Sequence, residues 1–459
     1  MGHYFLKFFF YIFLLVATIL FTYLIYKIQL NFFNISSAHR IYVFAFFFIF
    51  FSFIIFYYLK LELNITLFIF IFSFTIAVYA FEIYINIDKT NKYRIFETRT
   101  GKKYDKRTKF EIYNDLKKDK NIRPGTYPVQ FLEEELSLFP LSTFSNKKII
   151  YCNENGYYSI YKSDRFGFNN LDKIWDSEII DYLLIGDSFT NGACVNSNDN
   201  IAGNLSKLAQ AQNILNLGMG GAGPITEYAI LKEYAPKEKK IKRILWLYYE
   251  GNDLANIRDE YKNNILKNYL ENENYSQNLN KRGNEINNFL ESKLKSEEKK
   301  AIKNLNDKKK KYFFSIIKLS KTRQLFDKKI NIIFNSKKDL ENISNINYEE
   351  IENIFNKIII NAQKYAIDKK ANIYFIYIPD IKRYIGVNKT AEYHNYDKVI
   401  KLVKELNIPI INIHKNFIKL EYSPLKFYSF ETVGNHFNED GYKKVSEIIF
   451  EEINKFEIK

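Results

Sequence analysis

The chain has 459 residues, of which 47% are hydrophobic and 26% charged, and its formal net charge is +15. This length accommodates a membrane unit together with one large soluble domain. The positive charge by itself favours nucleic-acid binding. However, the lysines are spread through Asn- and Ile-rich stretches and no recognition module is present, which excludes nucleic acid as the partner.

The N-terminal part contains three long apolar segments without a charged residue, at 8–26, 41–59 and 63–81. Each is long enough to cross a bilayer as a helix. A cleaved signal peptide is a poor alternative for the first segment, because its core is too long and two further segments follow. We therefore predict a membrane domain over residues 1–87 with three transmembrane helices, and a lipid bilayer as its partner.

The rest of the chain divides into a polar lead-in at 88–150 and an α/β domain at 151–459. Turn-rich stretches at 152–156 and 163–170 are interpreted as structural lead-in before the first core strand. Strand, turn and helix then alternate from 180 to 253, which predicts a parallel sheet with helices on both faces. Lysine runs mark a helical insertion at about 254–345. Strands at 373–378 and 408–413 and a final helix from about 439 to 454 complete the domain.

Polar residues follow three of the predicted strands, where an open α/β sheet places its chemistry. Gly186-Asp187-Ser188 follows the apolar run 182–185, Gly221 closes a glycine-rich turn after the next strand, and Asn252 follows the third. His436 precedes the final helix. A serine hydroxyl needs a base such as histidine to become a nucleophile, and the oxyanion formed in acyl transfer needs fixed N–H donors.

Each of these residues also has a purely structural interpretation. Ser188 and His436 are suited to capping helices, Gly221 to a flexible turn, and Asn252 to an ordinary turn pair. His414, at the end of the last predicted strand, is the second-best histidine candidate.

The ordered series of serine, glycine, asparagine and histidine resembles the SGNH (GDSL-type) hydrolase superfamily over residues 150–455. The resemblance implies a flavodoxin-like fold, with Ser188 as nucleophile and His436 as general base. It also implies an oxyanion hole made by Gly221, the Asn252 side chain and the N–H of Ser188. Neither a cofactor nor a metal ion is expected, because phosphate-binding loops, dinucleotide fingerprints and zinc motifs are missing from the sequence.

The chain departs from the family at the residue that orients the histidine. The family usually carries an aspartate two or three residues before it, where this chain has Val433 and Gly434. Glu431, Asp440 or a backbone carbonyl are the alternatives, and Asp187 is a further supporting candidate. A Ser-His dyad and a loss of activity also stay open.

The resemblance implies a membrane-anchored serine esterase acting on acyl esters, O-acetyl groups above all, of cell-envelope polysaccharide. The alternatives are an O-acyltransferase to a glycan hydroxyl, or an inactive scaffold whose partners are polysaccharide-assembly proteins. Basic residues after the third apolar segment favour a cytoplasmic soluble domain. Long domains cross membranes regardless of charge, and similar anchored members act outside, so we expect a multi-pass protein of the bacterial inner membrane with an extracytoplasmic catalytic domain.

The two cysteines, Cys152 and Cys194, lack the spacing of metal ligands. A disulfide is expected if the domain is exported, and two buried thiols otherwise. The sequence leaves both open.

Overall fold

The computed structural model describes residues 61–88, 91–211, 213–325, 348–385, 395–430 and 435–458. The chain divides into two compact units. Among the described residues, the first unit contains 61–86 and 315–325, and the second contains 87–314 and everything from 348 onward.

The first unit is built on the helix α1 (Leu61–Asp88). The buried carboxylate of Glu82 accepts hydrogen bonds from the backbone N–H of Lys321 (3.0 Å) and from the N–H and hydroxyl of Thr322 (both 2.7 Å). The predicted span at 63–81 falls on α1, whereas the other two lie outside the described residues. Within the described part of the chain, no helix is both long and apolar enough to cross a membrane.

The second unit begins with two helices and a small sheet, most of which lies in the segment 88–150 that is expected to be a polar lead-in. Its elements are α2 (Asn91–Thr100), α3 (Lys109–Leu116), β1 (Ile122–Pro124), β2 (Lys148–Ile150) and β3 (Ile160–Lys162). β1 is parallel to β2, and β2 is antiparallel to β3. The loop between β2 and β3 is closed by hydrogen bonds from Tyr151 N to Ser159 O (2.9 Å) and from Ser159 N to Cys152 O (3.0 Å).

A five-stranded parallel sheet forms the main layer of the second unit. The five strands of the sheet are β4 (Ile179–Gly186), β5 (Ile214–Asn216), β6 (Lys240–Tyr249), β7 (Asn372–Ile378) and β8 (Ile410–Asn412). The helices between and after them, in chain order, are α4 (Ser188–Asn191), α5 (Ile201–Ala209), α6 (Pro224–Tyr234), α7 (Asp253–Glu260), α8 (Asn264–Glu271), α9 (Gly283–Ile317), α10 (Tyr348–Asp368), α11 (Tyr396–Glu405), α12 (Ile413–Phe417) and α13 (Glu439–Ile458). The strand order is β5-β4-β6-β7-β8, which is the doubly wound order of flavodoxin-like sheets. The predicted parallel α/β fold is therefore confirmed.

Side chains of the sheet are buried on both faces, which explains why its strands read as continuous apolar runs. Leu183 and Trp246 belong to a core that also contains apolar residues of α6 and α10. Leu184 and Leu245 belong to the opposite core, which includes residues of α5 and α13. Successive strand residues alternate between these cores because side chains of a strand point to opposite faces.

The helices α7, α8, α9 and α10 lie in sequence between β6 and β7. The predicted helical insertion at 254–345 falls in this region. Residues 326–347 lie outside the described residues.

Candidate active site

Ser188 lies at the carboxyl end of β4, the strand between β5 and β6, as the first residue of the short helix α4. The side chain of Asp187 caps this helix by accepting a hydrogen bond from Phe189 N at 2.9 Å. Glycine is required at position 186, the last residue of β4. A Cβ at this position would lie 2.2 Å from Thr190 Oγ1 and 2.8 Å from Leu247 O. The tight exit from the strand therefore presents the serine hydroxyl at the sheet edge.

The His436 ring lies beside this hydroxyl. Nε2 of His436 is 2.9 Å from Ser188 Oγ, within the distance needed for proton transfer. The ring also packs against Phe189, with centroids 4.9 Å apart. The structure thus brings together the two residues that the sequence proposes as nucleophile and base.

The carboxylate that holds the imidazole comes from Glu154. Its Oε1 is 3.0 Å from Nδ1 of His436, and its Oε2 accepts a 2.6 Å hydrogen bond from the His436 backbone N–H. Because a carboxylate only accepts, the network assigns the proton to Nδ1 and leaves the Nε2 lone pair facing Ser188. Burial would lower the pKa of His436, but the charge and hydrogen bond of Glu154 raise it above its ordinary value.

Glu154 is not one of the carboxylates that the sequence suggests for this role. Glu154 lies in the stretch 152–156 that is interpreted as structural lead-in, 282 positions before the histidine, and its carboxylate contacts the His436 ring. Asp440 is exposed and makes no hydrogen bond to His436 in the described structure. Glu431 lies outside the described residues. Asp187 lies 3.3 Å from Ser188 Oγ but is engaged as the helix cap.

Four buried carboxyl groups lie near one another, and one of them precedes the serine: Asp187, Glu227, Asp253 and Glu260. Burial raises the pKa of Asp187 to about 6 and that of Glu260 to about 7. Burial also raises the pKa of Glu227 well above its ordinary value, and the nearby charge of Asp253 adds to this shift. Glu260 has a structural task, since it accepts hydrogen bonds from the backbone N–H of Gly223 (2.7 Å) and Ile225 (3.0 Å) at the start of α6.

The predicted oxyanion-hole residues follow the strands on either side of β4. The glycine-rich turn after β5 lies along the serine turn, as the hydrogen bond from Met219 N to Gly186 O (3.0 Å) shows. Gly221 in this turn has φ +70°, and a Cβ here would lie 2.5 Å from Val129 Cγ1. Its N–H makes no hydrogen bond within the described residues. Glycine is required here by both backbone conformation and space.

Asn252 lies between β6 and α7. Its Oδ1 is buried without a hydrogen-bond partner, and its Nδ2 makes no hydrogen bond to any residue the structure describes.

His414, the second-best histidine candidate, contacts other residues. Its Nδ1 lies 3.0 Å from the hydroxyl of Tyr384. Burial, with the positive charges of Arg383 and Lys415, lowers the pKa of His414 to about 4. The structure gives it no contact with Ser188 among the described residues.

Cys152 and Cys194 form a disulfide, with their Cα atoms 4.8 Å apart. Of the two states that the sequence left open, the structure therefore contains the oxidised one. Cys152 stands two residues before Glu154, and Cys194 lies in the loop that follows α4.

No protein-family profile and no curated protein matches the sequence. Among solved structures, the chain is similar to a protein from Desulfitobacterium hafniense DCB-2 that is described as lipolytic and of the G-D-S-L family. The two share 12% identity, the match covers 60% of this chain and 99% of that chain, and the TM-score is 0.32. A TM-score this low carries no argument, so the fold rests on the sheet topology and the chemistry on the geometry around Ser188.

Proposed function

We propose that the chain is a serine esterase of the SGNH type. Ser188 is the nucleophile, His436 the general base, and Glu154 the carboxylate that orients the base. The observation that carries the proposal is the continuous hydrogen-bonded series from Ser188 Oγ to His436 Nε2 (2.9 Å) and from Nδ1 to Glu154 (3.0 Å). This is the arrangement by which serine hydrolases activate a hydroxyl near neutral pH.

The reaction proceeds in two steps. His436 takes the hydroxyl proton as Ser188 Oγ attacks the ester carbonyl, and the negative charge that develops on the carbonyl oxygen is met by the N–H groups of Gly221, Asn252 and Ser188. His436 then gives the proton to the departing alcohol, which leaves an acyl-serine. In the second step water attacks the acyl-serine in the same way, with His436 as the base. This releases the carboxylic acid and restores the serine.

We further propose that the substrate is an O-acyl ester, such as an O-acetyl group, of cell-envelope polysaccharide. In this proposal the enzyme is anchored in the bacterial inner membrane with its catalytic domain outside. The three uncharged apolar segments support the anchor. The Cys152–Cys194 disulfide supports an oxidising compartment, because such bonds persist mainly outside the cytosol.

An inactive scaffold was favoured only by the missing aspartate before the histidine. Glu154 fills that place in the site, so this argument no longer applies. An acyltransferase would use the same residues and differ only in the acceptor, a glycan hydroxyl in place of water.

The proposal is tested by labelling the full chain with a fluorophosphonate probe and by measuring hydrolysis of p-nitrophenyl acetate. We expect labelling and turnover in the parent, and loss of both in Ser188→Ala. Ser206→Ala is the matched control, because its hydroxyl is bonded to Ala211 O, away from His436. Labelling that persists in Ser188→Ala, or a parent that neither labels nor turns over, would refute the proposal. Added polyol acceptors that become acetylated in place of acetate release would identify a transferase.

A further inference from the structure

We propose that the Cys152–Cys194 disulfide is a positioning element of the catalytic site, holding Glu154 at the correct distance from His436. This inference rests on the proposed function and adds to it a covalent link between the nucleophile turn and the carboxylate that orients the base. Glu154 sits on the loop between β2 and β3, which belongs to the small sheet and not to the parallel sheet that carries the serine. The loop must therefore be tied to the main layer for the carboxylate to reach its partner.

The far end of the disulfide is fixed to the nucleophile turn. Gly192 N and Ala193 N both donate to Ser188 O, at 3.1 and 3.0 Å. Cys194 follows with φ +63°, a left-handed backbone conformation, and its side chain is fully buried. The sulfur of Cys194 is thus held in a defined place relative to Ser188.

The residues on both sides of Glu154 are tied to this same cysteine. Cys152 is bonded to it through sulfur, and Asn155 Nδ2 donates to Cys194 O at 3.0 Å. Asn155 Oδ1 in turn accepts from Ser429 Oγ at 2.5 Å. Glu154 therefore lies between one covalent and one hydrogen-bonded attachment to the segment that carries the nucleophile.

Other contacts hold the loop from the opposite side. Tyr104 donates its hydroxyl to Asn153 O at 2.7 Å, and Asn153 Nδ2 donates to Asp105 O at 2.8 Å. These bonds do not depend on the disulfide. The loop should consequently stay close to its place when the disulfide is lost, while Glu154 gains freedom to drift from the ring.

The first test compares the full chain with the double variant Cys152→Ala/Cys194→Ala, using p-nitrophenyl acetate. Misplacement of a catalytic group by about 1 Å can cost on the order of 100-fold, so we expect kcat to fall about 10- to 100-fold with KM little changed. Dithiothreitol, which reduces the bond to two thiols while forming its own cyclic disulfide, should produce the same loss in the parent. Leu290→Ala, a core truncation in α9, controls for lost stability and should retain its kcat at temperatures where it is folded.

The same double substitution is then made in a Glu154→Gln background. If the disulfide acts through Glu154, removing it there should change kcat by less than threefold. An equal loss in both backgrounds would show a merely structural role and overturn the proposal.

A second readout does not need activity. The pKa of His436 is measured by NMR on histidine-labelled protein, with the signal assigned by His436→Gln. Glu154 and Asp187 both raise this pKa, and loosening Glu154 weakens its share, so we expect the pKa to fall in the disulfide variant. An unchanged pKa with an intact fold would overturn the inference. If the folded parent lacks esterase activity, the proposed function fails, and this titration still decides whether the disulfide positions Glu154.

Discussion

Replacing Glu154 by Gln is the sharpest test of the site, because Gln keeps the size of the side chain and removes its charge. The carboxylate accepts two hydrogen bonds from His436, one from the backbone N–H and one from Nδ1. An amide has one oxygen and can satisfy only one of them. If its oxygen stays on the backbone, the NH₂ faces Nδ1 and forces the proton onto Nε2, where it blocks removal of the Ser188 proton.

Loss of the correct tautomer in a full triad costs about 10⁴-fold in turnover, or roughly 5 kcal/mol at 1.36 kcal/mol per tenfold step. We therefore expect kcat/KM for p-nitrophenyl acetate to fall about 10³- to 10⁴-fold in Glu154→Gln. Glu154→Asp keeps the charge but shortens the reach, and should lie between this variant and the parent.

The pH profile gives an independent check. Activity requires neutral His436, so kcat/KM falls as the pH drops through the pKa of this residue. Glu154 raises that pKa, so its neutralisation should move the acid limb of the residual activity to lower pH. Asp440→Asn is the matched control, because it neutralises an exposed carboxylate close in sequence to the histidine, and its profile should match the parent. A Glu154→Gln enzyme within threefold of the parent, or one with an unmoved acid limb, would refute the assignment of Glu154.

Three further predictions concern the oxyanion hole and the buried carboxyl groups. Asn252→Ala should lower kcat about 100-fold or more with little change in KM, and a kcat within threefold of the parent would remove this amide from the site. Gly221→Ala should lower kcat at least about tenfold, because the new Cβ meets Val129 and the residue has φ +70°. Val129→Ala in the same chain should restore part of the loss. A Gly221→Ala enzyme with the kcat of the parent would contradict the argument. Glu227→Gln should stabilise the protein at neutral pH. The folded-state pKa of Glu227 is raised by burial and by Asp253, so stability falls by up to about 1.4 kcal/mol for each pH unit between the unfolded and the folded pKa. Parent and variant should therefore have the same melting temperature at pH 4, and the variant should have the higher one at pH 8. An equal difference at both pH values would argue against a raised pKa of Glu227.

Local patterns in the sequence predicted the main sheet, and the resemblance of the ordered motifs to the SGNH superfamily proposed two of the three residues in the hydrogen-bonded series. Buried parallel strands read as apolar runs because both of their faces are covered, and the polar residues after them mark the carboxyl edge of the sheet. Ser188 was recognisable for this reason, since its position follows directly from the end of β4. His436 was recognisable from its place before the last helix.

The tertiary structure decided which carboxylate serves His436, and that the two cysteines are joined. A carboxylate orients an imidazole whenever two atoms come within about 3 Å, and any segment that reaches the ring can supply it. Glu154 does so from a loop of the small sheet, across 282 positions of the chain. Periodicity and motif spacing describe neighbours along the chain, and so they determined the strand ends and the nucleophile turn. The partner of the histidine depends on how the loop of the small sheet packs against the main sheet, which only the folded chain contains.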